Sequence, residues 1–209
     1  MTSATIIAAE LLRAGAVHLR PDQPFTFVSG LRSPIYCDNR LLIGDVAARR
    51  AIVPGFVAAC AGAEVVAGTA TAGIPWAAWA AEALSLPMAY VRGSAKAHGR
   101  GRQIEGASVA GRRVMLLEDT ISTGESSLAA AAALRDEGAE LLGCACIFSW
   151  GWQSTADAFA AAGLPLVVLA DLPALLGVAG RGGQLSAEQR ALVEQWVRDP
   201  QGWGGSQAH

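Results

Sequence analysis

Arg113 to Leu117 reads RVMLL. Four consecutive apolar residues leave no polar face, so a strand here must be covered on both sides, as inside a parallel sheet packed between helices. Other short apolar runs repeat the theme: Glu64 to Thr69 (EVVAGT), Pro87 to Val91, Leu141 to Phe148 and Leu164 to Leu169. Between them lie alanine-rich segments long enough for crossover helices. One runs through Trp76 to Leu84 with Pro75 near its start, another from Glu125 to Glu137 with Gly138 closing it. This alternation predicts an α/β fold, a parallel sheet flanked by helices. The ends differ. Residues 1–45 hold one amphipathic helix and a Pro/Gly-punctuated stretch with room for antiparallel pairing, and residues 171–209 read as short helices. We therefore expect one domain of 209 residues, its core at about 46–170. The two ends would form a small hood over the carboxyl edge of the sheet, where ligands of open α/β sheets bind.

Composition excludes several classes. With 52% hydrophobic and 16% charged residues the chain has ample material for a core. A formal charge of −2 gives no basic footprint, so nucleic acid is not an expected partner. The apolar start, ATIIAAELL, is too short to span a bilayer and lacks a basic leader, so no membrane association is expected. Cys37, Cys60, Cys144 and Cys146 have no metal-ligand spacing and read as free thiols of a cytoplasmic protein.

The most informative segment for chemistry is Leu116 to Ser126, LLEDTISTGES. A buried strand delivers two adjacent carboxylates, then hydroxyls and one glycine, then a helix. Gly124 permits a turn, and the amides after it open a helix N-terminus, a natural anion site. Ser122, Thr123 and Ser126 add hydroxyl donors. Glu118 and Asp119 would repel a phosphate, so they must face another part of the ligand; paired acceptors suit the vicinal hydroxyls of a ribose. The set as a whole asks for a ribose 5-phosphate. A capped turn alone would need only one Ser or Thr. It is not a Walker A loop, for GxxxxGK[ST] is absent.

Just before it, Arg92 to Gly106 (RGSAKAHGRGRQIEG) mixes cationic residues with glycines and almost no apolar anchors. We expect a flexible excursion able to close over a polyanion, although charged loops are more often merely solvated. His98 stands inside it without a core to satisfy.

At Glu118 to Ser126 the chain resembles the type I phosphoribosyltransferases. Tyr90 to Gly99 (YVRxxxKxHG) with IEG at Ile104 to Gly106 is similar to the catalytic loop of the orotate phosphoribosyltransferases. So are Phe25 to Arg40 (FTFVSGLRSPIYCDNR) to their orotate-recognition segment, Ala67 to Pro75 (AGTATAGIP) to their pyrophosphate loop, and IFSWG at Ile147 to Gly151. Together they cover nearly the whole chain. The resemblance implies transfer of a 5-phosphoribosyl group from 5-phosphoribosyl 1-diphosphate to orotate, giving orotidine 5'-phosphate and pyrophosphate in pyrimidine biosynthesis. It assigns Lys96, His98 and Asp119 to catalysis. Donor binding falls to Arg92, Lys96, His98, Glu118, Asp119, Thr120, Ile121, Ser122, Thr123, Gly124, Glu125 and Ser126. Orotate falls to Ser122, Ser29, Gly30, Ser33 and Tyr36. Mg²⁺ is implied as the cofactor, held by substrate and water with no protein ligand, and a homodimer with shared active sites is implied as the assembly. Val28, Ala72, Gly93 and Trp150 stand where some members carry basic residues, which marks a subgroup. Three rival readings remain: another base, a donor-binding regulator of nucleic acid, and an interaction module carried by Trp150, Trp152, Trp196 and Trp203.

Overall fold

The computed structural model describes residues 2–27, 30–93 and 103–203. Helix α1 (Ser3–Arg13) begins where the Thr2 hydroxyl accepts the Thr5 N–H. Four short strands follow, β1 (Val17–Leu19), β2 (Phe25–Thr26), β3 (Arg32–Ser33) and β4 (Ile35–Cys37). They form two antiparallel ladders, β1 with β4 and β2 with β3. A 3-10 helix (Asn39–Ile43) leads into α2 (Val46–Ala59), capped by the Asp45 carboxylate. The chain then alternates through β5 (Val65–Thr69), α3 (Gly73–Leu84), β6 (Met88–Val91), β7 (Ile104–Gly106), β8 (Arg113–Ile121) and α4 (Glu125–Asp136). It ends with β9 (Glu140–Ser149), α5 (Gln153–Ala161), β10 (Leu166–Asp171), α6 (Leu172–Arg181) and α7 (Ala187–Arg198).

The central sheet has the order β10-β9-β8-β5-β6-β7. All neighbours are parallel except β7, which runs against β6. Successive side chains of a strand point to opposite faces, and β8 follows that rule. Met115 and Leu117 join the core beneath α1, α2 and α3, with Ile7, Phe56 and Trp76. Val114 and Leu116 join the core beneath α4 and α5, with Leu134 and Phe159. The strand is therefore buried on both sides, which is why its sequence carries no polar alternation. From β5 the chain moves to β6 with its helix on the first face. From β8 it moves to β9 and β10 with helices on the second. The carboxyl ends of β5 and β8 thus flank a switch point, where a crevice must open.

Four features depart from the expectations. The strand expected to stop at Leu117 runs on to Ile121, because β9 offers backbone partners as far as Ser149. Part of the excursion expected over residues 92–106 is strand: Ile104 to Gly106 pair with Ala89 to Val91 as an antiparallel edge, and residues 94–102 lie outside the described residues. Helices α2 and α5 were not anticipated; the first carries Pro54 in its interior, and the second is nine residues with an uncapped start at Trp152. The tryptophans on which the rival interaction module rested are withdrawn from the surface: Trp150 and Trp196 are buried, Trp152 and Trp203 half-buried.

Candidate active site

At the switch point lies a cavity of about 270 Å³ walled by Ala70, Thr71, Ala72 and the run Glu118 to Ser127. A second cleft, about 320 Å³, shares Ala70, Glu125 and Ser126 with it and extends to Thr69, Val91, Arg92, Gly93 and Gln103. The two meet over the start of α4.

The wall has three chemical sections. The last residues of β8 bring Glu118 and Asp119 to the cavity. Glu118 is 8% exposed, and burial, helped by the neighbouring Asp119 carboxyl, pushes its acid up to about 8. The Asp119 N–H donates to Glu118 Oε1 at 3.0 Å. At neutral pH Glu118 therefore favours its neutral form, which suits a neighbour that is itself anionic.

The next section is the turn Ser122–Gly124 and the first turn of α4. Gly124 has φ +86°, and a Cβ there would lie 2.6 Å from the ring of Phe159. Only glycine fits the turn that brings the loop back over α5. Leu128 N–H bonds to the Gly124 carbonyl at 2.8 Å, so the amides of residues 125–127 stand before the first helical hydrogen bond, at the cavity wall. The hydroxyls of Ser122, Thr123 and Ser126 are on exposed residues beside them. Ile121 is 1% exposed within the core, so only its backbone can serve a ligand. The third section, Ala70 to Ala72, joins β5 to α3; its Ala70–Thr71 peptide is cis.

Supporting contacts come from far along the chain. Asn39, 1% exposed, donates its amide to the Asp119 carbonyl at 3.0 Å and to Thr120 Oγ1 at 2.9 Å. Thr69 Oγ1 donates to the Leu117 carbonyl at 3.3 Å. Thr155, from α5, donates to the Ser122 carbonyl at 2.6 Å. Sequence reading did not single out these three, because nothing local distinguishes a Thr or Asn whose partner is 33 to 81 residues away.

The expected site residues separate into three groups. Residues Glu118 to Ser126 come together around one cavity, and Arg92 joins them across the second cleft, its guanidinium 3.6 Å from Glu105. Gly30, Ser33 and Tyr36 belong to neither wall. Gly30 is exposed at the turn of the β2–β3 hairpin, and Tyr36 packs on Phe25 and Phe27 at 5.6 and 6.3 Å. The Ser33 hydroxyl donates to the Ile35 carbonyl at 2.6 Å and is buried. Ser29, Lys96 and His98 lie outside the described residues.

A family model described as a phosphoribosyl transferase domain matches residues 59–157, the segment that builds both clefts. The orotate phosphoribosyltransferase of Bacillus caldolyticus is 49% identical over 202 residues, covering 95% of this chain and 98% of the relative. This chain belongs to the orotate phosphoribosyltransferase family. Solved structures agree with the family's fold. Orotate phosphoribosyltransferase from Aeropyrum pernix superposes with a TM-score of 0.71 at 32% identity, over 86% of this chain and 99% of that one. Leishmania donovani UMP synthase gives a TM-score of 0.77 at 25% identity, over 94% of this chain and 42% of that one. Among the described residues no helix is long and apolar enough to cross a membrane, and the four cysteines are free.

Proposed function

We propose that this chain transfers the 5-phosphoribosyl group of 5-phosphoribosyl 1-diphosphate to orotate, releasing pyrophosphate and forming orotidine 5'-phosphate. One observation carries the reading: a single cavity holds paired carboxyls on one side and a ring of hydroxyls and helix-start amides on the other. That is the complement of a ribose 5-phosphate, in a chain close to half identical to an orotate phosphoribosyltransferase.

In this reading a ring nitrogen of orotate attacks C1 of the donor and the bond to pyrophosphate breaks. Positive charge grows on the ribose while negative charge grows on the leaving oxygens, so the site must stabilise both at once. Glu118 and Asp119 hold the ribose hydroxyls. With its acid raised, Glu118 can donate to one hydroxyl as well as accept from it, and Asp119 favours the cationic sugar. Residues Thr120 to Ser126 hold the 5-phosphate. Arg92, Lys96 and His98 gather the pyrophosphate, and Lys96 and His98 are the groups to supply its proton. Ser122, with Ser29, Gly30, Ser33 and Tyr36, would meet orotate; since the Ser33 hydroxyl is held by Ile35, its part there is through the backbone.

Mg²⁺ would neutralise the diphosphate, arriving on substrate oxygens and water. The donors at hand fit that role: Asp119 is half-buried at the cavity wall, where it can reach a hydrated ion. The active form is proposed as a homodimer with shared sites, acting in the cytoplasm. The free thiols support that compartment. An absorbance assay for orotate loss, with donor and Mg²⁺, tests the activity. A panel of free bases tests the choice of base; turnover of another base without orotate would overturn it.

A further inference from the structure

We infer that α7 positions the base-recognition hairpin, with Trp196 as the positioning residue that fixes where β2–β3 and its Gly30 turn stand. The inference rests on the proposed reading that this hairpin meets orotate.

The hairpin needs outside support. Its ladder has two residue pairs, Phe25 with Ser33 and Thr26 with Arg32, too few to define a position in water. Trp196 supplies a fixed point. It is 1% exposed, and its indole N–H donates to the Arg32 carbonyl at 2.9 Å across 164 residues of sequence. In the first turn of α7, Gln189 Nε2 donates to Asp22 Oδ2 at 2.6 Å. The two donors are seven residues apart, about 10 Å of helix, so both ends of α7 are tied to the segment that carries the hairpin.

Trp196 is itself anchored to the sheet. Its ring stands edge-on to Trp150 at 5.4 Å, and Trp150 stands edge-on to Phe148 at 5.2 Å. Phe148 lies near the carboxyl end of β9, paired with Thr120 of β8. A line of rigid aromatic contacts thus runs from β9, the strand beside the donor site's β8, through Trp150 to Trp196, whose indole N–H holds the hairpin. Edge-to-face rings resist sliding because their geometry as well as their area is favourable. The donor's own loop is held separately, by Thr155 and Asn39. Loss of the Trp196 tie should therefore reach orotate and spare the donor.

The experiment is steady-state kinetics on W196F, which keeps a ring but deletes the N–H, beside G30A and wild type. Gly30 has φ +83°, so an alanine there strains the turn itself. The expected result for W196F is a rise in orotate KM of about tenfold, with donor KM and kcat within about twofold. Equal rises in both KM values would show general loosening and overturn the inference. A raised orotate KM in G30A with none in W196F would overturn it while leaving the proposed function standing. An unchanged orotate KM in G30A would remove the hairpin from base recognition and the inference with it. If W196F does not fold, Gln189→Glu decides. It keeps the oxygen that caps Ser186 N–H but sets a carboxylate against Asp22. A selective rise of about threefold in orotate KM supports the inference, and an unchanged value overturns it.

Discussion

The Thr155 hydroxyl donates to the Ser122 carbonyl at 2.6 Å, fastening the turn of the proposed phosphate loop to the start of α5. Thr155 is 2% exposed and touches the loop from behind, so it can shape the site without meeting the ligand. Thr155→Val keeps the volume and removes the bond, at a cost of about 1 kcal/mol. Part of that loss should appear as a donor KM raised about twofold. Initial rates at varied donor, together with a thermal melt, check it. A lowered melting point with unaltered donor KM would make the bond structural only.

Gly124 is under two constraints at once. Its φ of +86° costs an alanine about 1–2 kcal/mol, and the added methyl would meet the buried Phe159 ring. Gly124→Ala should therefore weaken donor binding by tenfold or more, by roughly the arithmetic of 1.4 kcal/mol per decade. Adding Phe159→Leu removes the overlap but not the backbone strain, so the double variant should recover part of the loss. Titration of the donor by calorimetry measures both; full recovery would mean the backbone was never strained.

Lys96 is proposed to act on the departing pyrophosphate. Lys96→Ala should cut kcat far more than donor affinity, the signature of a contact that strengthens in the transition state. Single-turnover rates and equilibrium binding separate the two quantities. A loss confined to affinity would reduce Lys96 to a binding contact.

What could be read from sequence was what local chemistry dictates. RVMLL announces a doubly covered strand because burial on both faces admits no polar residue, and STGES announces a turn because its glycine and hydroxyls sit side by side. The contacts that hold this loop in place were not legible. Asn39 meets Thr120, and Thr155 meets Ser122, only after the sheet has brought distant segments together. Helix α2 was hidden for a different reason. Pro54 lies inside it, and a proline there normally argues against a helix; packing of Ile52 and Phe56 into the core outweighs the lost hydrogen bond. The extension of β8 through Glu118 to Ile121 was hidden by its polar side chains, which a strand tolerates where it ends at a cavity.

Glu118 gives the protein a pH dependence of predictable sign. Burial, and then the Asp119 carboxyl, raise its acid from 4.5 in the unfolded chain to about 8 in the folded one. Between those values the folded state binds the extra proton, so stability must fall as pH rises. Below about 4.5 both states are protonated, and above about 8 both are ionised, so the slope vanishes at either end. Within the window it should approach about 1.4 kcal/mol per pH unit. Glu118→Gln cannot ionise and should lack this component, so the variant gains on the wild type as pH rises. Urea unfolding midpoints of both proteins from pH 5 to 8 read the difference directly. If the two curves stay parallel, Glu118 is ionised throughout, and the ribose would meet two charged carboxylates in place of a carboxyl and a carboxylate.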